Sequence, residues 1–207
     1  SSAASDVYKR QGQGGLDEWA DVQEVSAELY RAHDIESFDT AFVKATTPEG
    51  IELRIACSHA CQGAERHREW IICDDATVCC EARAPWQIVH RDGRIESVQV
   101  ESDGLLAANL SAYLAYVRGE IDRPPTLLSD SRPFVELCNL TFVAAGHIRQ
   151  IPEVVLARVT EEDDPYLAIG GLNDTVDRFF AEDLLPSQQE VLWGAPGGRA
   201  TRGDLPG

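Results

Sequence analysis

From residue 21 to residue 100 apolar and polar positions alternate with a period of two, the pattern of half-buried strands. In 21–31, Val25, Ala27 and Leu29 share one face. Residues 37–47 are rich in aromatic and β-branched side chains. Residues 51–61 put Ile51, Leu53, Ile55 and Cys57 on one side and Glu52 and Arg54 on the other. Pro48-Glu49-Gly50 between these runs predicts a hairpin. Short runs follow at 68–74, 77–82, 86–91 and 94–100, the last two joined by the turn dipeptide Asp92-Gly93. Seven short strands in succession predict a largely antiparallel meander.

Beyond residue 100 the period lengthens. Leu106, Leu110, Tyr113, Leu114 and Val117 recur at helical spacing, with Gly119 as a stop. A second stripe runs through Phe134, Leu137, Cys138, Thr141, Phe142, Ala145 and Ile148, with Ser129 or Asp130 able to cap it and Pro133 near its first turn. A third helix is predicted over 172–184, turning Val176, Phe179, Phe180 and Leu184 inward. Residues 153–159 read as a late strand and 161–165 as a solvated loop. Residues 194–207 hold five glycines and two prolines, which predicts a disordered tail. Strands followed by helices define an α+β protein: a largely antiparallel open β-sheet with helices packed on one face. The other face, carrying Glu52, Arg54, Ala56 and Ser58, is expected to meet solvent, another sheet or another domain.

Charge narrows the partners. Thirty-five acidic against 18 basic residues in 207 give a formal net charge of −17. That argues against nucleic acid and against anionic membrane surfaces, since both require clustered Lys and Arg. No apolar run approaches the roughly 18 residues of a spanning helix. Without a secretion signal, a cytoplasmic location is expected. Methionine is absent and the chain opens on Ser1. The first eleven residues match neither periodicity and have the character of an adapter scar. Residues 1–20 are therefore expected to be a flexible start and 21–193 the folded domain, with a further N-terminal part missing.

Chemistry-bearing motifs are few. Gly12-Gln13-Gly14-Gly15 lacks the preceding strand, the third glycine and the following helix of a dinucleotide loop; position 17 is Asp. Cys57, His59 and Cys61 would share a strand face, yet the only other pair, Cys79-Cys80, points to opposite faces. The six cysteines therefore read as buried free thiols rather than metal ligands. Asp74-Asp75 and Asp163-Asp164 read as solvated loop pairs. Lys44 is the only lysine outside the first eleven residues, so any lysine chemistry in this chain would rest on it.

Two phrases carry a resemblance. The first is the run 28–40 (ELYRAHDIESFDT) leading into 51–60. The second is the run 123–135 (RPPTLLSDSRPFV) followed by 139–143 (NLTFV). In this order they resemble the C-terminal domain of the Gfo/Idh/MocA oxidoreductases over roughly 21–193. The resemblance implies a two-domain enzyme in which a Rossmann domain, absent here, binds NAD or NADP. The C-terminal domain would then shape the site for a sugar, polyol or related hydroxyl compound and mediate homo-oligomerisation through its exposed sheet face. The family's Glu-Lys-Pro lysine is not matched, because Ala45 follows Lys44, and no Asp/His helix precedes Val22. No catalytic, cofactor-binding or metal residue is assigned, and the fragment by itself is expected to be inactive. His59, Trp86 and His90 are the candidates for facing substrate, since an aromatic face suits a sugar ring. The alternative is a noncatalytic open-sheet module that binds a ligand or a protein.

Overall fold

The computed structural model describes residues 21–63, 67–81, 84–99, 104–124, 126–161 and 164–205. The flexible start expected over 1–20 lies outside these. The chain forms two compact units, Ser1–Gly63 with Ser131–Gly207, and Ala64–Asp130, so the second is inserted in the first. The sequence reading treats 21–193 as one domain. Strand periodicity does not reveal the division, because it runs unbroken from one unit into the next.

In the first unit, β1 (Glu24–Arg31), β2 (Thr40–Thr46) and β3 (Glu52–Ser58) form an antiparallel meander. Gly50, at φ +83°, makes the β2–β3 turn at Pro48-Glu49-Gly50. The free edge of β1 is paired twice. Its first half meets a short strand at Arg199–Thr201, antiparallel, and its second half meets one at Ile148–Gln150, parallel.

Alternation gives this sheet two apolar faces. Val25, Ala27, Leu29, Ala41, Val43, Ala45 and Leu53 bury against Leu140, Ala144 and Ala145 of a helix at Arg132–Ala145. Tyr30, Phe42 and Ala56 pack on the other side, with Leu172, Val176, Phe179 and Phe180 of a helix at Leu172–Glu182 and with Trp193. The face expected to meet solvent, another sheet or another domain is therefore covered in this unit by a helix of the same unit. Two-residue periodicity shows Phe42 and Ala56 to be on that side, but not what closes over them. Lys44 helps hold the cover: its Nζ lies 2.9 Å from Asp183 Oδ1, just past the C-terminus of that helix, and Arg54 Nε lies 3.0 Å from the same oxygen. Cations at a helix C-terminus complement the helix dipole.

In the second unit, β4 (Arg68–Ile72), β5 (Ala76–Glu81), β6 (Trp86–His90) and β7 (Ile95–Val98) form a separate four-stranded antiparallel meander. Gly93, at φ +87°, makes the β6–β7 turn. Helix α1 (Leu105–Val117) carries no charged residue. Its Leu106, Leu110, Tyr113, Leu114 and Val117 are exposed rather than turned inward. The second and third helices, α2 (Arg132–Ala145) and α3 (Leu172–Glu182), both belong to the first unit.

In chain order the remaining strands are β8 (Ile148–Gln150), β9 (Leu156–Glu161), β10 (Asp164–Ile169) and β11 (Arg199–Thr201). The late strand expected at 153–159 is a 3₁₀ turn, Glu153–Val155, followed by β9, which pairs with β10 in a two-stranded ribbon. Acidic composition suggested a plain loop at 161–165; the ribbon instead continues into it on both sides.

The tail expected to be disordered from residue 194 is held as far as residue 205. Trp193 is buried edge-on against Tyr30, with ring centroids 4.9 Å apart. Ala195 N–H donates to Tyr30 Oη at 3.1 Å, and Gly198 N–H donates to Ala144 O at 2.7 Å. The glycines allow close approach here and do not signal looseness. A Cβ at Gly197 would lie 1.8 Å from Ala27 O. Beneath this strap sits buried Glu28, which accepts from Tyr30 Oη at 2.6 Å, from Ser187 N–H at 3.1 Å and from the Ser187 hydroxyl. Burial, first, and the neighbouring Glu28 push the Tyr30 phenol well above its ordinary range.

Candidate functional site

Residues 32–39 connect β1 to β2 at one end of the five-stranded sheet. Thr40 lies opposite both Tyr30 of β1 and Ser58 of β3, so the end of β3 arrives at the same place. Four polar side chains, His33, Asp39, Thr40 and Ser58, meet there. Buried Asp39 accepts through Oδ2 from Ala32 N–H at 2.8 Å, His33 N–H at 2.9 Å and His33 Nδ1 at 2.8 Å. Its Oδ1 accepts the Thr40 hydroxyl at 3.0 Å. Thr40 Oγ1 lies 2.8 Å from Ser58 Oγ, which itself accepts Ala60 N–H at 2.9 Å. With the Thr40 proton committed to the carboxylate, Ser58 is the donor of that pair.

Burial alone would raise the Asp39 carboxyl, but the donors from His33, Ala32 and Thr40 outweigh it and hold it below the usual carboxylate range. A depressed folded value stabilises the protein above the unfolded value and is lost as pH falls through the folded one. Unfolding midpoints in urea are therefore expected to drop as pH is lowered past ~4, the unfolded aspartate range. Asp39→Asn is expected to weaken that acid dependence and to cost about 2 kcal/mol at neutral pH, in line with hydrogen bonds to a charged group.

A carboxylate has no proton to donate, so Nδ1 of His33 carries the hydrogen and Nε2 keeps the lone pair in the neutral ring. The imidazole is partly open to solvent, at 31% side-chain exposure. This oriented imidazole was not evident in the sequence. His33 and Asp39 flank a polar break between two strands, and nothing in the spacing shows that the break folds back on itself.

Of the residues expected to face substrate, His59 lies at this sheet end, exposed, its N–H donating to Asp39 O at 2.8 Å. Trp86 and His90 are half-buried in the inserted unit and share one face of β6. His90 Nε2 lies 3.0 Å from Glu96 Oε1. The structure thus leaves Trp86 and His90 four residues apart on one strand of the inserted unit and places His59 at the sheet end that carries His33 and Asp39. Lys44 is occupied in clamping α3. Among the described residues no three His, Cys, Asp or Glu side chains could hold a metal. None of the six cysteines, all of them among the described residues, is in a disulfide, and Cys57 and Cys73 are exposed rather than buried. Strand β3 ends at Ser58, so His59 and Cys61 do not continue its face. No helix among the described residues is long and apolar enough to cross a membrane.

The turn after β3 continues to a small pocket of about 200 Å³ lined by Gln62, Ile169, Gly171, Leu172, Asn173 and Asp174. Here a strand, Gly170-Gly171 and the N-terminus of α3 follow one another, in outward likeness to a dinucleotide loop. The likeness fails in two respects. β10 is antiparallel to its partner rather than part of a parallel βαβ unit. Asp174 places a carboxylate in the first helical turn, where a pyrophosphate would need positive potential. This loop does not fit the pyrophosphate of a nicotinamide dinucleotide.

The antiparallel open sheets and helices described above match the fold of an oxidoreductase C-terminal domain over 60% of this chain. The solved structures that share it are oxidoreductases of the Gfo/Idh/MocA type, as the two sequence phrases imply. One is a UDP-N-acetylglucosamine 3-dehydrogenase from Acidithiobacillus ferrooxidans, with a TM-score of 0.54 and 21% identity over 60% of this chain and 40% of that one. Another is an oxidoreductase from Agrobacterium radiobacter solved with NAD+, L-tartaric acid and magnesium, with a TM-score of 0.50 and 16% identity over 61% of this chain and 42% of that one. The chain thus matches well under half the length of either. No family model matches it, and no curated protein sequence does.

Proposed function

We propose that this chain is the substrate-shaping and oligomerisation part of an NAD(P)-dependent oxidoreductase acting on a sugar, polyol or related hydroxyl compound. The dinucleotide would be held by a domain outside residues 1–207. The observation that carries this reading is the shared fold, matched over 40% of a sugar-nucleotide dehydrogenase. The misfit of Gly170, Gly171 and Asp174 to a pyrophosphate agrees with a cofactor held elsewhere. His59, Trp86 and His90 belong to the proposal as substrate-facing residues.

The test uses the intact gene product. It is expected to reduce NAD+ or NADP+ in the presence of a sugar, polyol or nucleotide sugar, to bind the dinucleotide, and to elute in light scattering as a homo-oligomer. Residues 1–207 alone are expected to bind neither dinucleotide. His59→Ala in the intact protein should raise KM about tenfold, the loss of roughly one good hydrogen bond. An intact protein that binds no dinucleotide would overturn the reading in favour of a noncatalytic binding module.

A further inference from the structure

We propose that His33, its tautomer fixed by Asp39, is a binding group for a hydroxyl of a neutral polyhydroxylated ligand. This rests on the reading of a sugar- or polyol-binding domain and names a residue for it. Among the described residues no protein group meets His33 Nε2, and the ring is part-exposed while its other nitrogen is locked at 2.8 Å on a buried carboxylate. An acceptor held this way has already lost its rotational freedom, so little entropy remains to be lost on binding.

The loop carrying it is tied down as well. Arg31 Nη1 donates to Ile35 O at 2.8 Å, Asp39 N–H to Tyr30 O at 3.1 Å, and Ile35 N–H to His33 O at 3.0 Å. The surroundings select the ligand chemistry. Asp34 and Glu36, both exposed, flank Ile35, itself 41% exposed. Acceptors and carboxylates call for hydrogen-bond donors and repel anions, and the whole chain carries −17. An exposed isoleucine among acceptors suits a molecule with C–H faces and hydroxyl edges. A phosphate or carboxylate ligand is disfavoured on the same grounds.

The test is nitrogen-15 NMR of the histidines in the 207-residue chain, titrated with D-glucose and myo-inositol, with D-glucose 6-phosphate as the anionic comparison. His33 is expected to show Nδ1 protonated in the neutral ring. Its Nε2 should move saturably with at least one neutral probe, at least ~10-fold more weakly with the phosphate. His33→Ala should weaken binding about tenfold, the share of one hydrogen bond, in a chain that still unfolds in one transition, its melting temperature lowered by the lost bond to Asp39. An Nε2–H tautomer, a His33 signal indifferent to both neutral probes, or a His33→Ala chain that binds as tightly as wild type would each overturn the proposal. These readings need neither turnover nor the Asp39 variant to fold. Binding at His33 in an intact protein that holds no dinucleotide would sink the oxidoreductase reading and leave this one standing. Dinucleotide-dependent oxidation with His33 unperturbed by the substrate would do the reverse.

Discussion

Gly197→Ala is expected to be the most damaging single-methyl change in this protein, lowering stability by more than ~4 kcal/mol, beyond the usual range for point substitutions. A Cβ there would sit 1.8 Å from Ala27 O and 2.9 Å from Ala27 C. Both are main-chain atoms in the middle of β1, so no side-chain rotation relieves the overlap. Either β1 or the strap must move. β1 is paired on both edges, so the strap is the element expected to give way. Its departure would expose Trp193, withdraw Ala195 from Tyr30 and unpair β11 from β1. Urea unfolding followed by Trp fluorescence measures this directly. A midpoint within ~1 kcal/mol of wild type would show that the strap does not lie against β1 as described, since a clash of this kind belongs to the large-effect class.

Phe179→Ala is expected to rank next, at about 3–5 kcal/mol, the range for emptying a buried phenylalanine site. Phe179 is fully buried on α3, its ring edge-on to Phe42 at 5.3 Å and to Phe180 at 5.1 Å. It therefore anchors the helix that covers the second face of the sheet. Phe180, half-buried beside it, should cost markedly less when truncated. Denaturant midpoints of the two alanine variants give the comparison. Equal costs would mean that α3 does not present Phe179 to that face.

The same helix shows where reading the sequence succeeded and where it stopped. Period-two alternation and the turn residues between runs located β1 to β7 to within a few residues, because both signals are local, although β1 to β3 are covered on both faces and β7 is exposed throughout. The 3.6 period located α1, α2 and α3 for the same reason. It could not say which surface each helix meets. Leu106 and Leu110 have the same spacing as residues of α2, yet they are exposed while Leu140 is buried. β8 and β11 have three residues each, too short to show a period, and exist because β1 has a free edge to pair. The candidate site showed itself in the sequence only through His59. His59 stood out as a histidine at a strand end, but its neighbour His33 acquires a role only when Asp39, six residues on, turns back to hold it.

The pairing of Glu24 with Thr201 bears on the order of events during synthesis. The first unit cannot close its central strand until the residues of the strap have left the ribosome, some 175 positions after β1 has emerged. The inserted meander has only neighbouring strands to pair and can form while the rest is still being made. β1 to β3 likewise pair neighbours in sequence, so only the outer edge of β1 is left waiting for its late partners. Contacts this distant in sequence slow folding, and the waiting edge is the segment most in need of protection from other chains.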